Sequence, residues 1–191
     1  MTGSEPRTDC LDQARALNAA KRYDAAIEAL DAAIARAPLA AAFNARGFAY
    51  NGLKRYDRAL EDLDEAIRRD PALAAAFNNR GYAFNGKRDH DRAIAELTEA
   101  IRLDPGFADA FNGRGYAWAA KGEPVRALAD LNEALRLDPG FASALHNRGR
   151  VWLALGEPRR ALADLDAALA LTPEFPAAAE ARAAARAALG L

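Results

Sequence analysis

The sequence contains one cysteine and two histidines, the residue types that supply thiolate nucleophiles and imidazole bases or metal ligands: Cys10, His90 and His146. Neither histidine has a nearby cysteine or carboxylate at the spacing of a metal site. Cys10 lies in an apolar pattern, where a free thiol usually packs as a small hydrophobic group. We find no nucleophile–base set and no glycine loop that could cradle a phosphate. The sequence therefore predicts a protein that is not an enzyme and that binds no metal or other cofactor.

The charge of the chain is nearly balanced. It has 191 residues with 26 basic and 27 acidic side chains, which gives a formal net charge of −1. Nucleic-acid and membrane-surface binding both need a concentrated basic field, so this balance favours neither. The first nine residues lack the order of a signal peptide, and no apolar run is long enough to span a bilayer. We therefore expect a cytoplasmic protein with no nucleic-acid partner and no membrane partner.

A motif of 34 residues recurs along the chain. Its members are Gly47, Gly81, Gly115 and Gly149; Ala59, Ala93, Ala127 and Ala161; and Pro71, Pro105, Pro139 and Pro173. Self-similarity at such a fixed period is the signature of a repeat architecture.

Each repeat contains two segments with helical periodicity. In the first segment Phe77, Gly81 and Phe84 follow the i, i+4, i+7 spacing of one helical face. A polar turn leads to the second segment, which ends before a proline because proline disfavours a preceding helical residue. We expect the aspartates at the start of the second helices to cap them. These are Asp24, Asp57 and Asp91.

The glycine in each first helix costs about 1 kcal/mol of helix propensity relative to alanine. We expect a close approach of the second helix, through the recurring alanines, to offset that cost.

Aromatic, Gly, aromatic, Ala, Leu, Ala and Pro positions recur in four consecutive units, and they resemble the tetratricopeptide repeat (TPR) family. The Asn-Arg-Gly sequences at 79–81 and 147–149 are similar to those of bacterial members. The resemblance implies an all-α fold, a right-handed α-solenoid whose first helices line the concave face. It predicts a single domain, residues 1–191, with five helix-turn-helix repeats at about 7–39, 40–73, 74–107, 108–141 and 142–175. A capping helix is expected at 176–189, the alternative being a frayed, alanine-rich tail.

A stripe of amide and aromatic side chains runs beside the core face of the first helices. Its members are Asn44, Phe48, Asn51, Asn78, Tyr82, Asn85, Asn112, Tyr116, His146 and Arg150. An asparagine amide can pair with both the N–H and the C=O of an extended peptide, and a neighbouring ring adds apolar contact area. We interpret the stripe as a peptide-binding surface. The alternative is that the amides bond to neighbouring helices and the rings pack between repeats.

Arginines and acids also recur together. Arg46, Arg80, Arg114 and Arg148 precede the glycines, and Asp62, Glu96, Asp130 and Asp164 stand in the second helices. The first repeat lacks both, which favours a pairing of each arginine with the acid of its own repeat. Arg182 continues the series without such an acid, so Asp164 is a possible partner. The alternative is a row of arginines that binds an anionic ligand.

These patterns favour a scaffold or adaptor that binds an extended peptide or partner segment in the concave groove. The alternative function is a self-assembling structural module, a homo-oligomer joined through its groove or its ends, because a stacked solenoid exposes at its ends the kind of surface that its interior repeats bury.

Overall fold

The computed structural model describes the backbone of residues 6–191 and the side chains of residues 11–191, so the side chain of Cys10 lies outside the described residues. Within that range the chain forms eleven α-helices and no strand. They are α1 (Pro6–Ala19), α2 (Tyr23–Arg36), α3 (Ala40–Gly52), α4 (Tyr56–Arg69), α5 (Ala74–Gly86), α6 (His90–Leu103), α7 (Ala108–Ala120), α8 (Pro124–Leu137), α9 (Ala142–Ala154), α10 (Pro158–Leu171) and α11 (Pro176–Ala188). The predicted all-α fold class is confirmed.

The chain divides into two compact units, unit 1 (Met1–Leu103) and unit 2 (Asp104–Leu191). In unit 1 the first helices α1, α3 and α5 contact one another in order, and in unit 2 so do α7, α9 and α11. Among the described residues, no two second helices of one unit (α2, α4 and α6, or α8 and α10) approach within 8 Å between Cα atoms. The first helices therefore form the inner layer of each unit.

One leucine from each second helix is fully buried against the paired first helix. The set is Leu30, Leu63, Leu97, Leu131 and Leu165. A Cβ atom added at Gly47 would lie 2.7 Å from Cγ of Leu63 and 3.3 Å from the backbone oxygen of Ala59. The paired helices therefore approach closely at the glycine, as expected. The atoms nearest the glycine belong chiefly to the leucine side chain, and the alanine contributes through its backbone oxygen.

The turns between paired helices contain a residue in the left-handed backbone region. The amide of Arg55 donates to the carbonyl of Tyr50 at 2.9 Å, a bond that closes the end of α3 around Lys54. The left-handed residues are Lys21, Lys54 and Arg88 in unit 1, with φ of 57°, 58° and 65°, and Gly122 and Gly156 in unit 2, with φ of 76° and 74°. A residue with a Cβ costs about 1–2 kcal/mol in this conformation, whereas glycine does not.

The prediction that Asp24 and Asp57 cap the second helices is wrong. The residues at the N-cap positions of α2 and α4 are Arg22 and Arg55, and the side chain of neither forms a capping hydrogen bond. The helices begin at the tyrosine one residue before each aspartate. The carboxylates therefore lie inside the first turn, where their negative charge interacts favourably with the positive end of the helix dipole. At α6 the capping side chain is Asp89 instead of Asp91, since its Oδ1 accepts from the amide of Arg92 at 3.2 Å.

The C-terminal segment is a packed helix and not a frayed tail. α11 contacts α9 and α10. Its Ala178 and Ala185 are fully buried, in one cluster with Leu145 and Leu165. The capping helix predicted by the sequence is confirmed.

Candidate functional site

The exposed aromatic rings of the predicted stripe lie on the first helices. Phe48 on α3 is 41% exposed and Tyr116 on α7 is 37% exposed, whereas Tyr82 on α5 is half-buried. The ring of Phe48 meets that of Tyr23 edge to face, with 6.3 Å between centroids. Arg150 occupies the equivalent position on α9 and is exposed. We call this surface of the inner layer the first-helix face of each unit.

Two of the predicted amides are used in bonds between repeats. The Nδ2 of Asn79 donates to Oδ1 of Asn44 at 2.9 Å within unit 1. The same bond recurs in unit 2, where Nδ2 of Asn147 donates to Oδ1 of Asn112, also at 2.9 Å. The stripe did not include Asn79 and Asn147, although a second asparagine directly before the recurring arginine was a visible signal for them.

A second pair of amides also holds neighbouring first helices together. The Nδ2 of Asn51 donates to the backbone oxygen of Asn79 at 2.7 Å. Asn18, one repeat earlier, donates in the same way to the oxygen of Ala45 at 2.9 Å. Asn85 is buried, and its Oδ1 lies 3.1 Å from Nδ1 of His90.

Several side-chain amide atoms of unit 1 keep hydrogen-bonding capacity. The Nδ2 of half-buried Asn44 makes no hydrogen bond among the described residues, since only its Oδ1 is bonded. The Oδ1 atoms of Asn18, Asn51 and Asn78 are buried and have no partner in the described part of the chain. A buried acceptor without a partner is uncommon in proteins, because it loses its hydrogen bonds to water.

His146 lies beneath the capping helix rather than on an open surface. It is 8% exposed, and its ring stacks at 4.9 Å on that of Phe175 with a tilt of 52°. Burial lowers the pKa of His146 below its ordinary value, and the charge of Arg150 lowers it further, while a hydrogen bond with the backbone of Ala177 acts in the opposite direction. The Nε2 atom has no partner among the described residues.

The recurring arginines pair with the acids of their own repeats, as predicted. Arg46 forms a two-bond pair with Asp62, from Nε to Oδ2 at 2.7 Å and from Nη2 to Oδ1 at 2.6 Å. Its Nη1 reaches back to Asp31 on the preceding second helix at 2.5 Å.

The same arrangement recurs in both units. Arg80 binds Glu96 and Asp64, Arg114 binds Asp130, and Arg148 binds Asp164 and Asn132. Arg182 pairs with Asp166 instead of the suggested Asp164, because α11 has no following second helix and Asp166 has the register that Asp31 and Asp64 have for Arg46 and Arg80. These guanidinium groups are therefore committed to structural pairs.

The first-helix face of unit 1 therefore carries an exposed apolar ring and a few unused amide atoms, and that of unit 2 carries an exposed ring and an exposed cation. Among the described residues, no group of three His, Cys, Asp or Glu side chains could hold a metal ion. No helix in the same part of the chain is long and apolar enough to cross a membrane.

Known family models and solved structures match most of the chain. A tetratricopeptide repeat family model matches residues 11–74, 45–106 and 78–140, and a second such model matches 142–175. No curated protein matches the chain in sequence.

The solved structures that share its fold include the following three. TTC0263, a thermophilic TPR protein of Thermus thermophilus, is 24% identical with a TM-score of 0.82, over 97% of this chain and 100% of that one. PilW, a type IV pilus biogenesis factor, is 21% identical with a TM-score of 0.83, over 98% and 88%. YrrB, described as a TPR protein with an unusual peptide-binding site, is 22% identical with a TM-score of 0.64, over 95% and 100%.

Proposed function

The chain belongs to the tetratricopeptide repeat family, and we propose that it is a protein-interaction scaffold that binds an extended peptide or partner segment on its first-helix faces. The exposed rings of Phe48 and Tyr116 carry this proposal. Fold alone does not assign a ligand to such a protein, so the argument rests on the surface residues of each unit.

In unit 1 the site is built around Phe48. Its ring leaves 41% of its surface in water, on the inner layer where the other large apolar side chains are half-buried or buried. The free Nδ2 of Asn44 lies one helical turn before it on α3 and can donate to a peptide carbonyl. An apolar ring beside an amide donor is suited to an extended backbone with an apolar side chain.

In unit 2 the equivalent positions carry a ring and a cation. Tyr116 on α7 and Arg150 on α9 stand at the same place in adjacent, contacting helices. Arg150 forms no ion pair among the described residues. We infer that this face prefers a peptide with an acidic side chain next to an aromatic or aliphatic one.

The amides divide into two roles in this proposal. Asn44 and Asn112 use their oxygens to hold the next repeat, as Asn51 uses its nitrogen, so these side chains position the face more than they contact a ligand. In unit 1 the free Nδ2 of half-buried Asn44 is the amide atom that we propose contacts a ligand, because the unbonded Oδ1 atoms of Asn51 and Asn78 are buried. We also propose that the protein binds and does not catalyse, since the first-helix faces bring together no nucleophile with a base.

The test is selection of peptides from a displayed random library on the purified chain, followed by measurement of affinity for the selected peptides. Phe48→Ser and Tyr116→Ser should each weaken the binding of the peptides that select their face by about tenfold or more, as loss of a central aromatic contact does. Val125→Ser removes an apolar side chain that is 81% exposed on a second helix, and it should leave affinity unchanged.

Equal binding by all four proteins would overturn the proposal. Light scattering of the unliganded chain examines the self-assembly alternative. A dilution-resistant oligomer that Phe48→Ser or Tyr116→Ser dissociates would assign the first-helix faces to self-association instead.

A further inference from the structure

The turns between the paired helices of unit 1 form a basic edge. We define the turn edge as these turns together with the first turns of α2, α4 and α6. Its cations are Lys21, Arg22, Lys54, Arg55, Arg58, Lys87, Arg88 and Arg92, and its acids are Asp24, Asp57, Asp89 and Asp91. Eight cations against four acids leave an excess of four positive charges on this edge, although the chain as a whole has a net charge of −1.

Most of this positive charge is not neutralised within the protein. Arg55, Lys87 and Arg92 pair with Asp24, Asp57 and Asp89. The other five cations form no ion pair in the described part of the chain, and all five are exposed. They are Lys21, Arg22, Lys54, Arg58 and Arg88. The acids of the edge are thus largely occupied, while its surplus cations face the solvent.

Three of these five cations stand where glycine would be less costly. Lys21, Lys54 and Arg88 adopt the left-handed conformation that Gly122 and Gly156 adopt in the turns of unit 2. Side chains with a Cβ are disfavoured there, and an unfavourable backbone conformation at a surface position suggests a function for the side chain. In each of the three turns of unit 1, the residue with the unfavourable backbone conformation is therefore also a cation that forms no ion pair among the described residues.

We propose that the turn edge of unit 1 is a docking surface for an acidic segment of a partner protein, distinct from the first-helix faces. Carboxylates spaced along a peptide can meet separated cations and avoid the four aspartates. The starts of α2 and α4 carry no side-chain cap, so their backbone amides add to the positive potential of the edge.

A nucleic acid fits this edge less well. Its phosphates are evenly spaced and would meet the aspartates as well as the cations. Single strands also require exposed rings on which bases stack. The aromatic residues of the edge, Tyr23 and Tyr56, are half-buried, with their rings over Gly52 and Gly86.

The test is fluorescence anisotropy of the full chain with a labelled peptide of alternating glutamate and serine. The variant Lys21→Gly/Lys54→Gly/Arg88→Gly removes three charges and relieves the left-handed backbone, so it should fold at least as well as the wild type. Arg68→Gln/Arg102→Gln/Arg136→Gln is the matched control, because it removes three exposed charges from the opposite ends of second helices.

We expect the glycine variant to bind the peptide at least about tenfold more weakly than the wild type, and the control to stay within about twofold. Tyr116→Ser should bind it normally, which separates this surface from the first-helix face of unit 2, for which we infer a preference for acidic side chains. Equal losses of affinity in both triple variants would show that binding depends on net charge alone. An unchanged affinity of the glycine variant would exclude the turn edge as the binding surface. Either result overturns the proposal, as would tighter binding of an oligothymidylate of equal charge or of vesicles containing phosphatidylserine.

Discussion

Replacing Arg46 by methionine should destabilise the protein because it leaves the carboxylate of Asp62 buried without its counter-ion. Asp62 is 6% exposed, and the side chain of Arg46 is 20% exposed. Breaking a fully buried pair costs about 3–5 kcal/mol, and water reaches part of this guanidinium, so we expect about 2–3 kcal/mol. The reverse change, Asp62→Leu, should cost less, about 1–2 kcal/mol, because Asp31 still holds Arg46 at 2.5 Å.

The double variant measures the pair itself. With both partners gone no charge is stranded, so Arg46→Met/Asp62→Leu should lose about 2 kcal/mol, which leaves a coupling energy near 2 kcal/mol. The assay is equilibrium urea unfolding followed by circular dichroism and analysed with nearest-neighbour coupling between repeats.

Arg68 and Glu65 supply the control cycle. Their side chains are 67% and 26% exposed, and they lie three residues apart on one helix. Such exposed pairs couple by about 0.5 kcal/mol or less, and salt screens them further. If the Arg46 and Asp62 variants were additive, or coupled no more than this control, the pair would not link the two helices as we infer.

Three further predictions follow from burial and backbone conformation. Gly81→Ala should destabilise by about 1–3 kcal/mol despite its better helix propensity, because the new Cβ would lie 2.5 Å from Cγ of Leu97; urea unfolding measures it. Arg88→Gly should stabilise by about 0.5–1 kcal/mol by relieving a φ of 65°, seen as a higher urea midpoint. His146 should make the stability of the protein depend on pH, because burial and the charge of Arg150 lower its pKa in the folded state. The stabilising contribution of the neutral imidazole is complete above the ordinary histidine pKa of about 6.5. It is lost as the pH falls below that value towards the lower pKa of the folded state. Thermal melts of wild type and His146→Leu between about pH 5 and 8 should show this slope in the wild type alone.

A control variant or an alternative outcome tests each of these three predictions. Gly140→Ala places a Cβ in an exposed turn, 3.4 Å from Oδ1 of Asp138, and should be nearly neutral. Gly122→Arg creates in unit 2 the residue type that Arg88→Gly removes, so its effect should have the opposite sign. A pH dependence retained by His146→Leu would assign it to another group.

The repeats and their helices could be predicted from sequence because each rests on local periodicity. The spacing of Phe77, Gly81 and Phe84 follows directly from helical geometry, and the arginine–acid pairs follow from their joint recurrence. Helix starts were harder, since Asp24 and the tyrosine before it are both acceptable first residues. Only the tertiary packing of that tyrosine, whose ring lies over Gly52, shows where α2 begins.

The candidate site was less predictable because an asparagine side chain can either contact a ligand or bond to a neighbouring helix. Asn44 and Asn112 look like ligand contacts in a stripe, yet their oxygens bond to Asn79 and Asn147, which lie on the next helix of the layer. The burial of His146 depends on α11, a helix whose docking against α9 no local pattern specifies. The predicted peptide-binding residues therefore stay a prediction, now concentrated on the exposed rings.

The arginine that bonds both ways along the array has a consequence for how such a chain can lengthen. Arg80 reaches an acid 16 residues before it and another 16 residues after it. Tandem duplication of a 34-residue segment within residues 40–175, where the period of 34 holds, preserves both intervals at the junctions. A newly inserted repeat thus arrives with its ion pairs already in register, so the number of repeats can change in a single genetic event without a compensating mutation.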